Sequence, residues 1–198
     1  MKEILFVTSN KGKVISLQNR LNPLHINVKQ IVLDLIEPQA DTCQEISLVK
    51  AQQAYAKTGK PVLVDDSAFH IPALNGFPGP YVKYILKTLG GRGILKTAED
   101  ITNRHSYFES SLTLMLGENN FKSFTESSNA GILGNEFVKA YNPESWSELW
   151  NIFIPYGSSK VFAELTYKER EQLRKERKQK DTYDIFVDWI KKEYAVEN

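Results

Sequence analysis

The stretch PVLVDDSAF, residues 61–69, decides how the chain is read. Val62-Leu63-Val64 is a short apolar run rich in β-branched residues, the pattern of a strand buried on both faces. It ends on two carboxylates and a hydroxyl: Asp65, Asp66 and Ser67. Adjacent like charges repel, and beside a core they also lose hydration. Two explanations stand side by side. Either the aspartates cap a turn where the strand stops, or a cation sits against them. Mg²⁺ suits the second, because it takes one or two protein carboxylates and completes its shell with phosphate and water. Glu37, in a loop before the preceding helix, would be a third acid of that set; otherwise it is a solvated loop residue.

Upstream, Ile4–Val7 reads as a buried strand, and TSNKGK (8–13) follows it. In VISLQNRL (14–21), Val14, Leu17 and Leu21 share one helical face. Strand, polar turn and helix together aim backbone N–H groups at an anion. Thr8, Ser9 and Asn10 supply hydroxyls and an amide, and Lys11 and Lys13 supply charge. The spacing is not GxxxxGK[ST], so this is no P-loop. Asn10 as an N-cap beside solvated lysines accounts for the same residues.

Further along, residues 25–33 predict a second strand, 34–43 a loop, and 44–58 a helix stopped by Gly59. The pairs Asn75-Gly76, Pro78-Gly79 and Gly79-Pro80 mark a loop. Residues 81–89 predict a helix ending at Gly90-Gly91. Alternation over 107–115 and 121–133 predicts two long antiparallel strands joined through Gly117–Asn120. Residues 134–151 read as irregular, 152–155 as a short strand, and 163–180 and 182–194 as helices. The order of elements predicts an α/β fold with a mixed sheet.

A chain of 198 residues suits one domain, or one domain with two lobes about a cleft. A net charge of +1 gives no global reason for a nucleic acid or an anionic membrane as partner. The single cysteine, Cys43, excludes an internal disulfide and any cysteine-based zinc cluster. The apolar run near the N-terminus is too short for a secretory signal or a span. These features predict a cytoplasmic protein.

Several other groups carry an ordinary reading and a functional one. Lys50 and Lys83 are exposed lysines or phosphate contacts. His25, His70 and His105 lack metal-ligand spacing, and His70 with Asp66 makes no triad. Phe124, Tyr141, Trp146, Trp150 and Phe153 are core or a stacking surface for a base. KEREQLRKERKQK (168–180) is a charge-laced solvated helix, a triphosphate-facing one or a weak nucleic-acid surface.

In order, these segments resemble the inosine triphosphate pyrophosphatase family. FVTSNKGK (6–13) resembles its T-x-N-x-x-K signature at Thr8, Asn10 and Lys13. EPQADTCQEISLVKA (37–51) resembles its acidic loop and following helix, which puts Glu37 at a metal-binding Glu and Lys50 at the helix lysine. VLVDDSAFHIPALNGFPGPYVKYIL (62–86) is similar to its second signature, with Asp66 at the metal-binding, proton-accepting Asp and Lys83 at a phosphate-contacting lysine. GFPGPY (76–81) and IFIPYGSSKVFAEL (152–165) extend the likeness. Two base-recognition motifs of the family, Gly-aromatic-Asp-Pro and Ser-His-Arg, are not matched. Trp150-Asn151 and LRKERKQ stand near their places, and Arg170 sits near a C-terminal substrate lysine.

The resemblance implies a single domain over 1–198, with a long twisted mixed sheet, flanking helices and two lobes about a central cleft. It implies Mg²⁺-dependent hydrolysis of non-canonical purine nucleoside triphosphates (ITP, dITP, XTP) to monophosphate and pyrophosphate. Glu37 and Asp66 would hold the metal, and Asp66 or Asp65 would accept the proton. Thr8, Ser9, Asn10, Lys13, Lys50, Ser67, Lys83 and Arg170 would contact the substrate. A homodimer is implied as well. The missing base-side motifs keep two alternatives: a Maf-like pyrophosphatase of different base preference, and a non-catalytic member that binds a nucleotide or a protein.

Overall fold

The computed structural model describes residues 2–145, 147–177 and 180–194. Strand β1 (Glu3–Val7) leads through a tight turn into helix α1 (Lys11–Leu21), then β2 (Asn27–Ile31), α2 (Cys43–Thr58) and β3 (Val62–His70). There follow β4 (Pro78–Gly79), α3 (Val82–Thr88), α4 (Gly90–Thr97), β5 (His105–Gly117), β6 (Asn120–Leu133), β7 (Phe153–Pro155), α5 (Tyr167–Glu176) and α6 (Thr182–Glu193). Strands pair in the order β2-β1-β3-β5-β6-β7, with β4 on β3. β1 is parallel to both β2 and β3, whereas β4 and β7 pair antiparallel with β3 and β6, so the sheet is mixed. No helix among the described residues is long and apolar enough to cross a membrane.

The chain gathers into two compact units. The first takes the described residues through Ser67, Ser110–Glu126 and those from Lys180 on. Its strands alternate their side chains between two apolar layers. Ile4, Phe6, Leu63, Leu112, Leu114 and Phe124 pack with Leu17 and Leu21 of α1 and with Phe186 and Ile190 of α6. Val7, Val62, Val64 and Met115 pack with Ala51 and Ala54 of α2. Helices therefore cover both faces of this part of the sheet. The second unit takes Ala68–Glu109 and the described residues of 127–179. Its core gathers Phe69, Ile71, Ile94, Phe108, Leu133, Ile152 and Phe153. Gly131 on β6 lies against β7 so closely that a Cβ would meet the Ile154 carbonyl oxygen at 2.2 Å.

Four expectations need correction. β3 does not stop at the aspartates; it runs on to His70, and only its parallel pairing with β1 stops, at Val64 opposite Val7. Gly90-Gly91 does not end the helical stretch. Gly90 takes φ +68°, the left-handed region natural to glycine, and α4 starts there. α1 starts at Lys11, because Asn10 caps it. α5 is shorter than 163–180: a capping box of Thr166 and Glu169 fixes its start, and it ends at Glu176. Lys178 and Gln179 of the basic run lie outside the described residues, as does Trp146.

Candidate active site

The register of β1 on β3 sets the site. Past Val64, β3 outruns β1, so Asp65 and Asp66 lie beyond the carboxyl end of β1, near the turn that follows Val7. In sheets with parallel strands, ligands bind outside those ends. The turn is built from its own polar groups. The Thr8 hydroxyl accepts the Asn10 N–H at 3.1 Å, and Asn10 Oδ1 accepts the Lys13 N–H at 3.2 Å. Ser9 is exposed at the tip. The first turn of α1 carries Lys11 and Lys13 and no acid, so positive charge adds to the positive helix end. An anion there would relieve that arrangement.

The two aspartates do not confront each other. Successive strand residues face opposite ways, and each has its own lysine. Asp65 turns toward α1 and α6: Lys13 Nζ lies 3.3 Å from its Oδ1, and the Ser67 hydroxyl donates to the same oxygen at 3.3 Å. Lys13 also donates to Ser67 Oγ at 2.8 Å. The other oxygen of Asp65 accepts the hydroxyl of Tyr183. That phenol is buried beside a carboxylate, and both effects push its pKa well above the usual value. The Arg20 guanidinium lies 5.5 Å over the Tyr183 ring and pairs with Asp181 at 2.6 Å and Asp184 at 3.0 Å.

Asp66 turns toward α2. Lys50 Nζ donates to Asp66 Oδ1 at 2.9 Å and to Glu37 Oε1 at 3.2 Å. Burial pushes the Asp66 carboxyl above its ordinary range, and the Lys50 ammonium opposes this without cancelling it. Burial also acts to lower the pKa of Lys50, but Asp66 and Glu37 outweigh it, and the net direction is up. The ammonium is thus held charged by two acids, while at Asp66 the pull of Lys50 and, more weakly, of Lys13 leaves desolvation uppermost. Further positive charge at Asp66 would complete the balance.

Among the described residues no group of three or more His, Cys, Asp or Glu gathers as a metal site. Mg²⁺ does not require one, because water and phosphate supply most of its shell. Glu37 and Asp66 bring hard oxygens to within 3.2 Å of one cationic atom, a donor pair that fits such an ion.

The structure therefore brings together Thr8, Ser9, Asn10, Lys13, Glu37, Lys50, Asp65, Asp66 and Ser67 in the first unit. Lys83, exposed on α3, and Arg170, on α5, belong to the second. Arg170 is bonded to the Leu165 carbonyl and to Glu144 and lies 5.1 Å over the Trp150 ring. Asn151, near the expected Asp-Pro, donates its amide to the carbonyls of Val138 at 2.6 Å and Ala140 at 3.2 Å. Phe124, Trp150 and Phe153 are buried, and Tyr141 is 92% exposed. Tyr183 had no local signal in the sequence: its acid is 118 positions away.

Solved structures give the class of fold. A HAM1 protein from Coxiella burnetii superposes with a TM-score of 0.78 at 24% identity, covering 97% of this chain and all of that one. The Staphylococcus aureus Ham1 protein gives 0.74 at 20% identity, with the same coverage. The model of the Ham1 family matches residues 4–179, and the chain belongs to the Ham1 family. Among curated relatives, a dITP/XTP pyrophosphatase of Methanopyrus kandleri is 33% identical, covering 98% of each chain. One from Hyperthermus butylicus is also 33% identical, over 85% of this chain and 86% of its own.

Proposed function

We propose that this protein is a nucleoside triphosphate pyrophosphatase acting on non-canonical purine nucleotides such as dITP, ITP and XTP, and that it releases the monophosphate and pyrophosphate in a Mg²⁺-dependent reaction. One observation carries the reading: Glu37 and Asp66 converge on Lys50 beside the Lys13–Asp65–Ser67 cluster, where β3 outruns β1. The activity named for the curated relatives supports the substrate class.

The chemistry needed is charge neutralisation and positioning rather than covalent catalysis. A divalent ion held by Glu37 and Asp66 would polarise the phosphoryl oxygens and lower the pKa of the attacking water. Lys13, Lys50 and the capped start of α1 set positive charge against the triphosphate. Thr8, Ser9, Asn10 and Ser67 supply hydrogen-bonding groups there. Asp66, its carboxyl pushed above the usual range by burial, takes the part of proton acceptor. Asp65 has both oxygens engaged by Lys13, Ser67 and Tyr183, so we assign it the positioning of Lys13. Lys83 remains a phosphate contact in this proposal. Arg170, held by Leu165, Glu144 and Trp150, is given a structural part. A cytoplasmic homodimer completes the proposal.

The test measures pyrophosphate release from a panel of purine and pyrimidine triphosphates with and without Mg²⁺, beside Asp66→Asn. The reading requires Mg²⁺-dependent turnover of dITP or XTP that falls at least a hundredfold in Asp66→Asn, on the scale of losing a general base. Saturable nucleotide binding with no turnover of any triphosphate would overturn it.

A further inference from the structure

The segment Val32–Thr42, between β2 and α2, holds Glu37 without regular secondary structure. Leu33 and Leu35 pack against the apolar layer under α2, but Ile36, next to Glu37, is 76% exposed and gains little from burial. What fixes its backbone is a side chain. Gln53 Oε1 accepts the Ile36 N–H at 2.9 Å, and Gln53 Nε2 donates to the Ile36 carbonyl at 2.8 Å. One amide thus completes both main-chain groups of the residue before Glu37, as a neighbouring strand would. Lys50, Gln53 and Lys57 recur at the spacing of one helix face. Lys50 grips the Glu37 carboxylate, Gln53 the Ile36 backbone, and Lys57 the Asp34 carbonyl.

We infer that Gln53 is a positioning residue for the metal: by clamping Ile36 it sets the Glu37 carboxylate opposite Asp66. The inference rests on Glu37 being a Mg²⁺ ligand. Partners that orient a ligand rather than bind the ion typically change metal affinity by about 10–100-fold. A clamp that merely stabilised the fold would not alter the Mg²⁺ requirement of the folded enzyme.

The experiment compares wild type with Gln53→Met, Gln53→Ala, Glu37→Gln and the exposed neighbour Gln52→Ala. Three readouts are taken: the Mg²⁺ concentration giving half-maximal pyrophosphate release, calorimetric titration of the nucleotide-free protein with Mg²⁺, and amide hydrogen exchange at Ile36. Both Gln53 variants should need about tenfold more Mg²⁺, with kcat at saturating Mg²⁺ within about twofold of wild type. Calorimetry should show the same weakening, and Ile36 should exchange faster, while Gln52→Ala leaves all three unchanged. If Glu37→Gln shifts the Mg²⁺ requirement and neither Gln53 variant does, the clamp is wrong and the metal site stands. If Glu37→Gln itself leaves the requirement unchanged, the metal reading fails and takes the clamp with it.

Discussion

Asp65 and Asp66 are neighbours in sequence with different physical lives. Asp65 is closed off by an ammonium, a serine hydroxyl and a buried phenol; Asp66 pairs with Lys50, feels Lys13 more weakly and carries an uncompensated share of its desolvation. Tyr183→Phe removes a hydrogen bond to a buried carboxylate. It should cost about 1.5–3 kcal/mol in denaturant unfolding, and it should lower kcat/KM because Lys13 loses its fixed partner. The pH dependence has a definite sign. The phenol's pKa is raised on folding, so its stabilisation is complete below the unfolded value near 10 and fades as pH climbs toward the folded one. Wild type should therefore lose stability above about pH 10 more steeply than Tyr183→Phe. Equal alkaline slopes would contradict the account. The aspartates and their lysines were legible because charges at the end of an apolar run are conspicuous. Tyr183 was not, because its role exists only once α6 lies against β3.

At the scale of elements, the order of strands and helices was readable where periodicity was clean: β1, α2 with its Gly59 stop, and the β5–β6 pair. It failed where local chemistry pointed away from tertiary pairing. Asp65-Asp66 looked like a strand end because acidic residues are poor strand formers, yet they lie inside β3, each beside a lysine. Gly90-Gly91 looked like a stop, and the backbone freedom of Gly90 instead joins two helices. The start of α5 is carried by Thr166-x-x-Glu169, a capping-box pattern inside the longer run of helix formers. Glu169 accepts the Thr166 N–H and pairs with Lys160, which hold its pKa down from 4.5 to about 2. Its contribution to the start of α5 is therefore present above pH 4.5 and lost as pH falls toward 2. A carboxyl titration followed by NMR should place its midpoint near that lower value. On β6, Gly131→Ala forces a methyl into the Ile154 carbonyl and should cost about 1–3 kcal/mol in thermal or chemical unfolding. An unchanged midpoint would mean that β7 moves aside freely.

At the scale of the molecule, the chain belongs to the Ham1 family, and the places of the two unmatched family motifs hold residues with structural bonds of their own. Asn151 staples the carbonyls of Val138 and Ala140, and Arg170 is locked against Trp150 and Glu144. Under the proposed function, the retained charge-handling groups would keep the reaction, and the altered base contacts would change its discrimination. The bond that is cut is thus a sharper test than the preferred base. The direct measurement is phosphorus NMR of the products formed from dITP and XTP with Mg²⁺ by wild type and by Asp66→Asn. The account predicts monophosphate and pyrophosphate in equal amounts from wild type, and neither from Asp66→Asn at matched times. Diphosphate with orthophosphate, or equal product from the Asp66→Asn protein, would contradict it.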